Sequence, residues 1–171
     1  MINKRRLGSA ALAALALTAL PATAHADAAP PKGCASTTGY STDEWHSGEL
    51  TVCFTEAKAY RHSEGREVLV PAARVAAKCW TKGLFWNERD CEFSADLTLK
   101  KGDEELWKKT VGRRTDRIWE GHTSVTNTWG CAGAGQYRLT LDNIDMSVVN
   151  PDNGRLLKVH PAPVTVTAEG C

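Results

Sequence analysis

No charge of one sign dominates this 171-residue sequence: 21 Lys and Arg stand against 20 Asp and Glu, a formal net charge of +1. A chain so balanced has neither the counterion-release drive toward nucleic acid nor the polybasic attraction to anionic lipid, so no nucleic-acid partner is expected. Beyond Leu20 no stretch approaches the ~18 consecutive apolar residues of a membrane helix, so no membrane insertion is expected of the chain downstream of that point. There is no Gly-x-Ser-x-Gly elbow to project a serine nucleophile. There is no Cys-x-x-Cys or His-x-x-x-His spacing either, so no metal and no cofactor is expected. A persuasive amphipathic helical period is also missing.

What is there begins with an address. Lys4, Arg5 and Arg6 precede an almost unbroken run of Ala and Leu from Leu7 to Leu20, followed by Pro21 and Ala24-His25-Ala26. A positive start, a short apolar run and small residues where a signal peptidase reads them predict a signal peptide over 1–26, cleaved before Asp27. The product is then secreted and extracellular. Cleavage removes three basic residues and no acidic one, leaving 18 Lys and Arg against 20 Asp and Glu, a net charge of −2. Residues 27–33 read as a flexible lead-in, and 34–171 as one domain.

Cys34, Cys53, Cys79, Cys91, Cys131 and Cys171 all follow the leader. An even number of cysteines in an oxidising compartment predicts three disulfides and leaves no thiol for nucleophilic work. Cys79 and Cys91 flank a short connection and are expected to staple it as a hairpin. Cys171, the last residue, is expected to tie back to Cys34 near the other end.

Period two dominates the remainder. Cys91 to Lys100 alternates apolar and polar without a fault, placing Cys91, Phe93, Ala95, Leu97 and Leu99 on one buried face. Lys101-Gly102-Asp103 makes a turn, and Glu105 to Val111 returns as the hairpin partner. The same alternation marks Leu50–Phe54, Val75–Cys79, Tyr137–Leu141 and Val164–Ala168. Met146–Val149 and Arg155–Val159 flank Pro151-Asp152-Asn153-Gly154, whose residue types suit a tight turn with a left-handed glycine. Pro71 to Ala77 has an Ala-rich, helix-compatible start, but its alternation into Cys79 favours a strand. About seven to nine short strands with frequent turn signals predict an all-β, antiparallel sandwich.

The stretch Gly130-Cys131-Ala132-Gly133-Ala134-Gly135-Gln136-Tyr137-Arg138-Leu139-Thr140-Leu141 resembles the penultimate strand of an immunoglobulin-like sandwich. The resemblance implies that the Tyr137 ring joins the core while its hydroxyl bonds nearby backbone. Leu139 stands where antibody-type domains carry a cysteine, so their inter-sheet bridge is not implied. Over roughly residues 75–141 the order of cysteine strand, hairpin, cysteine and Gly-x-Tyr is similar to small exported proteins of actinomycete-type bacteria. That similarity supplies no catalytic residue.

Candidate chemistry is sparse. His46, His62, His122 and His160 are scattered over four segments. Glu44, Glu49, Asp90, Glu92 and Asp96 are the carboxylates that a glycoside hydrolase would have to pair across a cleft. Asp142-Asn143-Ile144-Asp145 with Asn150, Asp152 and Asn153 is oxygen-rich but lacks EF-hand spacing, and turn formation accounts for it. Six tryptophans are the stronger handle. Trp80, Phe85 and Trp86 cluster around Gly83 between Cys79 and Cys91, where rigid rings on a braced loop would suit a glycan or a partner's apolar side chain. Trp107, Trp119 and Trp129 are expected to be core or cross-strand residues. The expected function is a non-enzymatic extracellular binding protein for a protein or glycan, using Trp80, Phe85 and Trp86. The alternatives are a secreted protease or enzyme inhibitor and, less favoured, a carbohydrate-active hydrolase.

Overall fold

The computed structural model of the chain describes residues 32–62, 65–114 and 122–170. The expected signal peptide, Trp119 and Cys171 lie outside the described residues. Ten strands and no helix form there, against about seven to nine strands expected: β1 (Gly33–Tyr40), β2 (His46–Arg61), β3 (Arg66–Lys82), β4 (Trp86–Arg89), β5 (Cys91–Lys101), β6 (Glu104–Arg114), β7 (His122–Thr128), β8 (Gly135–Val149), β9 (Leu156–Val159) and β10 (Val164–Gly170).

All strand pairs are antiparallel and fall into two five-stranded sheets. One runs β1-β2-β3, with β4 and β7 sharing the far edge of β3; the other runs β10-β8-β5-β6, with β9 also on β8. Alternation decides which side chains face inward. Leu50, Val52 and Phe54 from β2 and Ala73, Val75 and Ala77 from β3 meet Phe93, Leu97, Leu99, Tyr137, Leu139, Leu141 and Met146 from the other sheet in a single core. The sheets approach closely at Gly48, where a Cβ would come within 2.8 Å of Met146 and 2.9 Å of Val159. At Gly39 a Cβ would sit 2.1 Å from Pro161 N, so only glycine fits beneath that crossing.

The Cys79–Cys91 bridge forms as expected, but its place differs. Cys79 ends in one sheet and Cys91 opens the other, both within 1% of full burial, so the bond ties sheet to sheet rather than stapling a hairpin. The expected Cys34–Cys171 link is corrected: Cys34 bonds Cys53, its direct cross-strand partner, with Cα atoms 4.1 Å apart. The strand register places these two cysteines side by side, a proximity that their spacing along the chain does not show. Two disulfides are thus defined among the described residues, where three were expected.

Strand length is the other departure. β2 and β3 pair over 16 residues a side, well past Leu50–Phe54 and Val75–Cys79. β1 stops pairing at Phe54 and β7 at Ala72, so Thr55–Arg61 and Arg66–Pro71 run on as a two-stranded ribbon, tied at its base by Trp129 N donating to Pro71 O and by the Lys32–Glu56 ion pair. The cross-strand Lys58–Glu67 ion pair braces this ribbon, and Tyr60 meets His62 edge-on at its end. Alternation had signalled only the part with a buried face. Gly33, the last residue of the expected lead-in, already pairs with Phe54.

Two local devices shape β8. Tyr137 is fully buried, its hydroxyl donates to Gly133 O at 2.7 Å, and Ala132 N donates to the hydroxyl at 3.0 Å. Further along, Asn143 and Ile144 oppose the single residue Ala95 in a bulge, and Asn143 takes φ 49°, a left-handed value that asparagine tolerates. The Pro151–Gly154 turn carries its left-handed glycine at φ 68°.

Candidate functional site

The β3–β4 turn places the expected aromatic residues at one end of the first sheet. Tyr40, Ser47, Trp80 and Glu88 form one cross-strand row, and Lys82 with Trp86 form the next row on the same outer face. Phe85 is 81% exposed and Trp86 45%, whereas Trp80 is half-buried. Sequence reasoning missed three neighbours: Leu84 at 98% exposure, Trp45 at 54% and Tyr40 at 52%. Leu84 adjoined the expected cluster, and its apolar side chain between Gly83 and Phe85 was the available signal. Nothing local could have brought in Tyr40 and Trp45, which arrive from the β1–β2 connection through strand pairing.

The patch is stiff. Gly83 N donates to Phe85 O at 2.9 Å, Asn87 Nδ2 donates to the same oxygen at 2.9 Å, and Lys82 N donates to Trp45 O at 2.7 Å. The last bond joins the two turns. In the β1–β2 turn, Asp43 accepts from the Ser41 hydroxyl and from Trp45 N, and these bonds hold its carboxyl below the usual aspartate range. His46 Nδ1 and the Thr81 hydroxyl lie 3.0 Å apart underneath. The Tyr40 and Trp86 rings stand 6.5 Å apart at 56°. Full removal of Leu84 and Phe85 from water would be worth ~1.5–3 kcal/mol each, so the tip carries a real driving force for association.

Beside this end, Glu88, Arg89 and Asp90 face Val149, Asn150 and Pro151 across a cleft of ≈ 220 Å³. Trp129 is buried, meeting Phe54 edge-on and Trp107 at a tilt, and Trp107 is half-buried against the core, so both are core residues as expected.

Asp96 accepts from Asn143 Nδ2 and the Thr110 hydroxyl, each at 2.9 Å, and pairs with Lys108 at 3.2 Å. Those donors lower its pKa, which is the opposite of what a general acid needs. Asn150 and Asn153 accept from Asp152 N and Arg155 N, so these side chains cap their own turn. Among the described residues no group of three or more His, Cys, Asp or Glu could hold a metal ion. No described helix is long and apolar enough to cross a membrane. No described cysteine is a free thiol.

The described fold is therefore an all-β, disulfide-linked pair of antiparallel sheets with an exposed aromatic end. Comparison with protein families, with curated proteins and with solved structures finds no match.

Proposed function

We propose that this chain is a secreted, non-enzymatic extracellular binding protein, and that the Trp80, Phe85 and Trp86 end, widened by Tyr40, Trp45 and Leu84, is its contact surface. The observation that carries the reading is the exposure of Leu84 and Phe85 on a turn whose backbone is tied internally. A pre-ordered apolar tip loses little entropy on association. The 56° tilt between Tyr40 and Trp86 gives a sugar ring no shared plane to lie on, which favours a protein's apolar side chains over a glycan. The test is Phe85→Ala with Trp86→Ala, checked for an unchanged thermal transition. Retention on peptidoglycan or chitin, or binding to a purified secreted protein, should fall at least tenfold; retention equal to that of the parent chain sinks the assignment.

An inhibitor of a secreted protease is the second reading, favoured by the same braced convex turn. Titration of purified secreted proteases decides it, with stoichiometric inhibition at micromolar protein expected and none counting against it.

We further infer an immunoglobulin-like strand order with a third bridge. Support comes from β7 returning beside β3 and β8 beside β5, from the corner made by the Tyr137 hydroxyl, and from Cys131. Cys131 is disulfide-bonded while Cys34, Cys53, Cys79 and Cys91 are engaged with one another, which supports Cys171 as the partner we infer for it.

A further inference from the structure

The outer face of the β10-β8-β5-β6 sheet carries its charges in rows. Asp96 stands directly opposite Asp142, with Thr110 flanking Asp96. Two residues along, Thr98, Thr140 and Thr165 make a hydroxyl row with Lys108 at its end, and the Thr140 and Thr165 hydroxyls lie 3.1 Å apart. Two residues further, Lys100 stands directly opposite Arg138, flanked by Glu105 and Thr167. Successive rows are ~7 Å apart.

Within one copy this is an unfavourable arrangement, because like charges directly opposite each other on neighbouring strands repel. Lys108 relieves the acidic row through Asp96. In the basic row Glu105 stands beside Lys100, but among the described residues neither Lys100 nor Arg138 forms an ion pair. Between the basic row and the hydroxyls lies a depression of ≈ 220 Å³, with Thr98 and Thr140 between Lys100, Arg138 and Asp142.

We propose that this face docks a second copy of the chain about a two-fold axis lying along the threonine row. That operation keeps each residue in its own strand column and exchanges the rows on either side. Asp96 then meets the other copy's Lys100, and Asp142 meets its Arg138. Each contact occurs twice, as an isologous interface requires. Thr110 falls opposite Glu105, and the threonines fall opposite themselves. Lys108 meets its own copy only at the outer column, where it is already paired with Asp96. Four opposite-charge contacts between copies then offset the two like-charge repulsions within each copy and the Lys108–Lys108 approach between them.

Four strands at ~4.8 Å and three rows at ~7 Å cover roughly 400 Å² per copy, the size of a weak, transient contact. The contact is polar and wet, so the dimer is weak and salt-sensitive. This inference does not depend on the aromatic end and uses none of its residues.

Sedimentation equilibrium of the purified protein tests it. At ~0.05 M salt the apparent mass should rise toward twice the monomer between ~10 μM and ~1 mM, and at ~1 M salt it should stay monomeric. Arg138→Glu, on an outward position, should leave the thermal transition within ~2 °C and weaken association at least tenfold. Asp142→Arg alone should do the same. An equimolar mixture of the two variants should nevertheless associate one to one: the carboxylate introduced in one copy would face the guanidinium introduced in the other, and the unchanged pair would meet as before. If Asp142→Arg fails to fold, Arg138→Glu and the salt series still decide. A monomer throughout the range, or association indifferent to both salt and Arg138→Glu, overturns the proposal.

Discussion

Replacing Tyr137 by Phe removes one oxygen from the fully buried residue and leaves its ring in place. That oxygen makes two bonds, donating to Gly133 O at 2.7 Å and accepting from Ala132 N at 3.0 Å. Gly133 and Ala132 are themselves exposed, so both freed backbone groups can recruit water and neither incurs a full burial penalty. At ~1 kcal/mol net per bond the loss is ~2 kcal/mol. For a domain of this size that lowers the melting temperature by roughly 4–8 °C. Urea denaturation with the disulfides intact gives the same quantity as a shifted midpoint. The slope should not change, because the substitution alters neither the core nor the area exposed on unfolding. A loss below ~0.5 kcal/mol, or a changed slope, would refute the view that this hydroxyl pins the corner before β8.

The disulfides should differ in their removal. By loop length alone, cutting Cys34–Cys53 or Cys79–Cys91 costs ~3 kcal/mol each, but Cys79→Ala with Cys91→Ala also empties a buried inter-sheet position and should cost measurably more in a urea midpoint. Peptide mapping without reduction should find the Cys131 peptide joined to the C-terminal one; an alkylatable Cys171 would overturn that third bridge. Asp96, whose folded pKa is lowered chiefly by the Asn143 and Thr110 hydrogen bonds and then by Lys108, should contribute stability that is present above its unfolded value near 3.8 and lost as pH falls through its lower folded value. Asp96→Asn should therefore flatten the acid limb of the stability profile, and an unchanged limb measured by melting from pH 5 to pH 2 would show that the carboxylate is not stabilised by these donors.

Alternation was enough to place Cys91–Lys100, Tyr137–Leu141 and Val164–Ala168 as strands with the correct inward faces, because side-chain direction in a strand is a property of two consecutive residues. Turn chemistry was equally local: Gly154 is left-handed where the Pro-Asp-Asn-Gly run required it. The β2–β3 ribbon beyond Phe54 was not legible, since exposed paired strands carry no apolar period.

Of the aromatic end, Phe85 and Trp86 could be read from their place in a short loop between two cysteines. Trp80 is half-buried on the same face, and Tyr40 and Trp45 were not seen at all. The pairing of Cys34 with Cys53 and the opposition of Lys100 to Arg138 were likewise hidden. The amino-acid order alone settled an all-β chain, its strand faces and its tight turns, each of which depends on neighbours within a few residues. Tertiary structure alone decided which strands lie side by side and in what register. Cross-strand neighbours sit ~5 Å apart in space while dozens of residues separate them along the chain, so no local pattern records them.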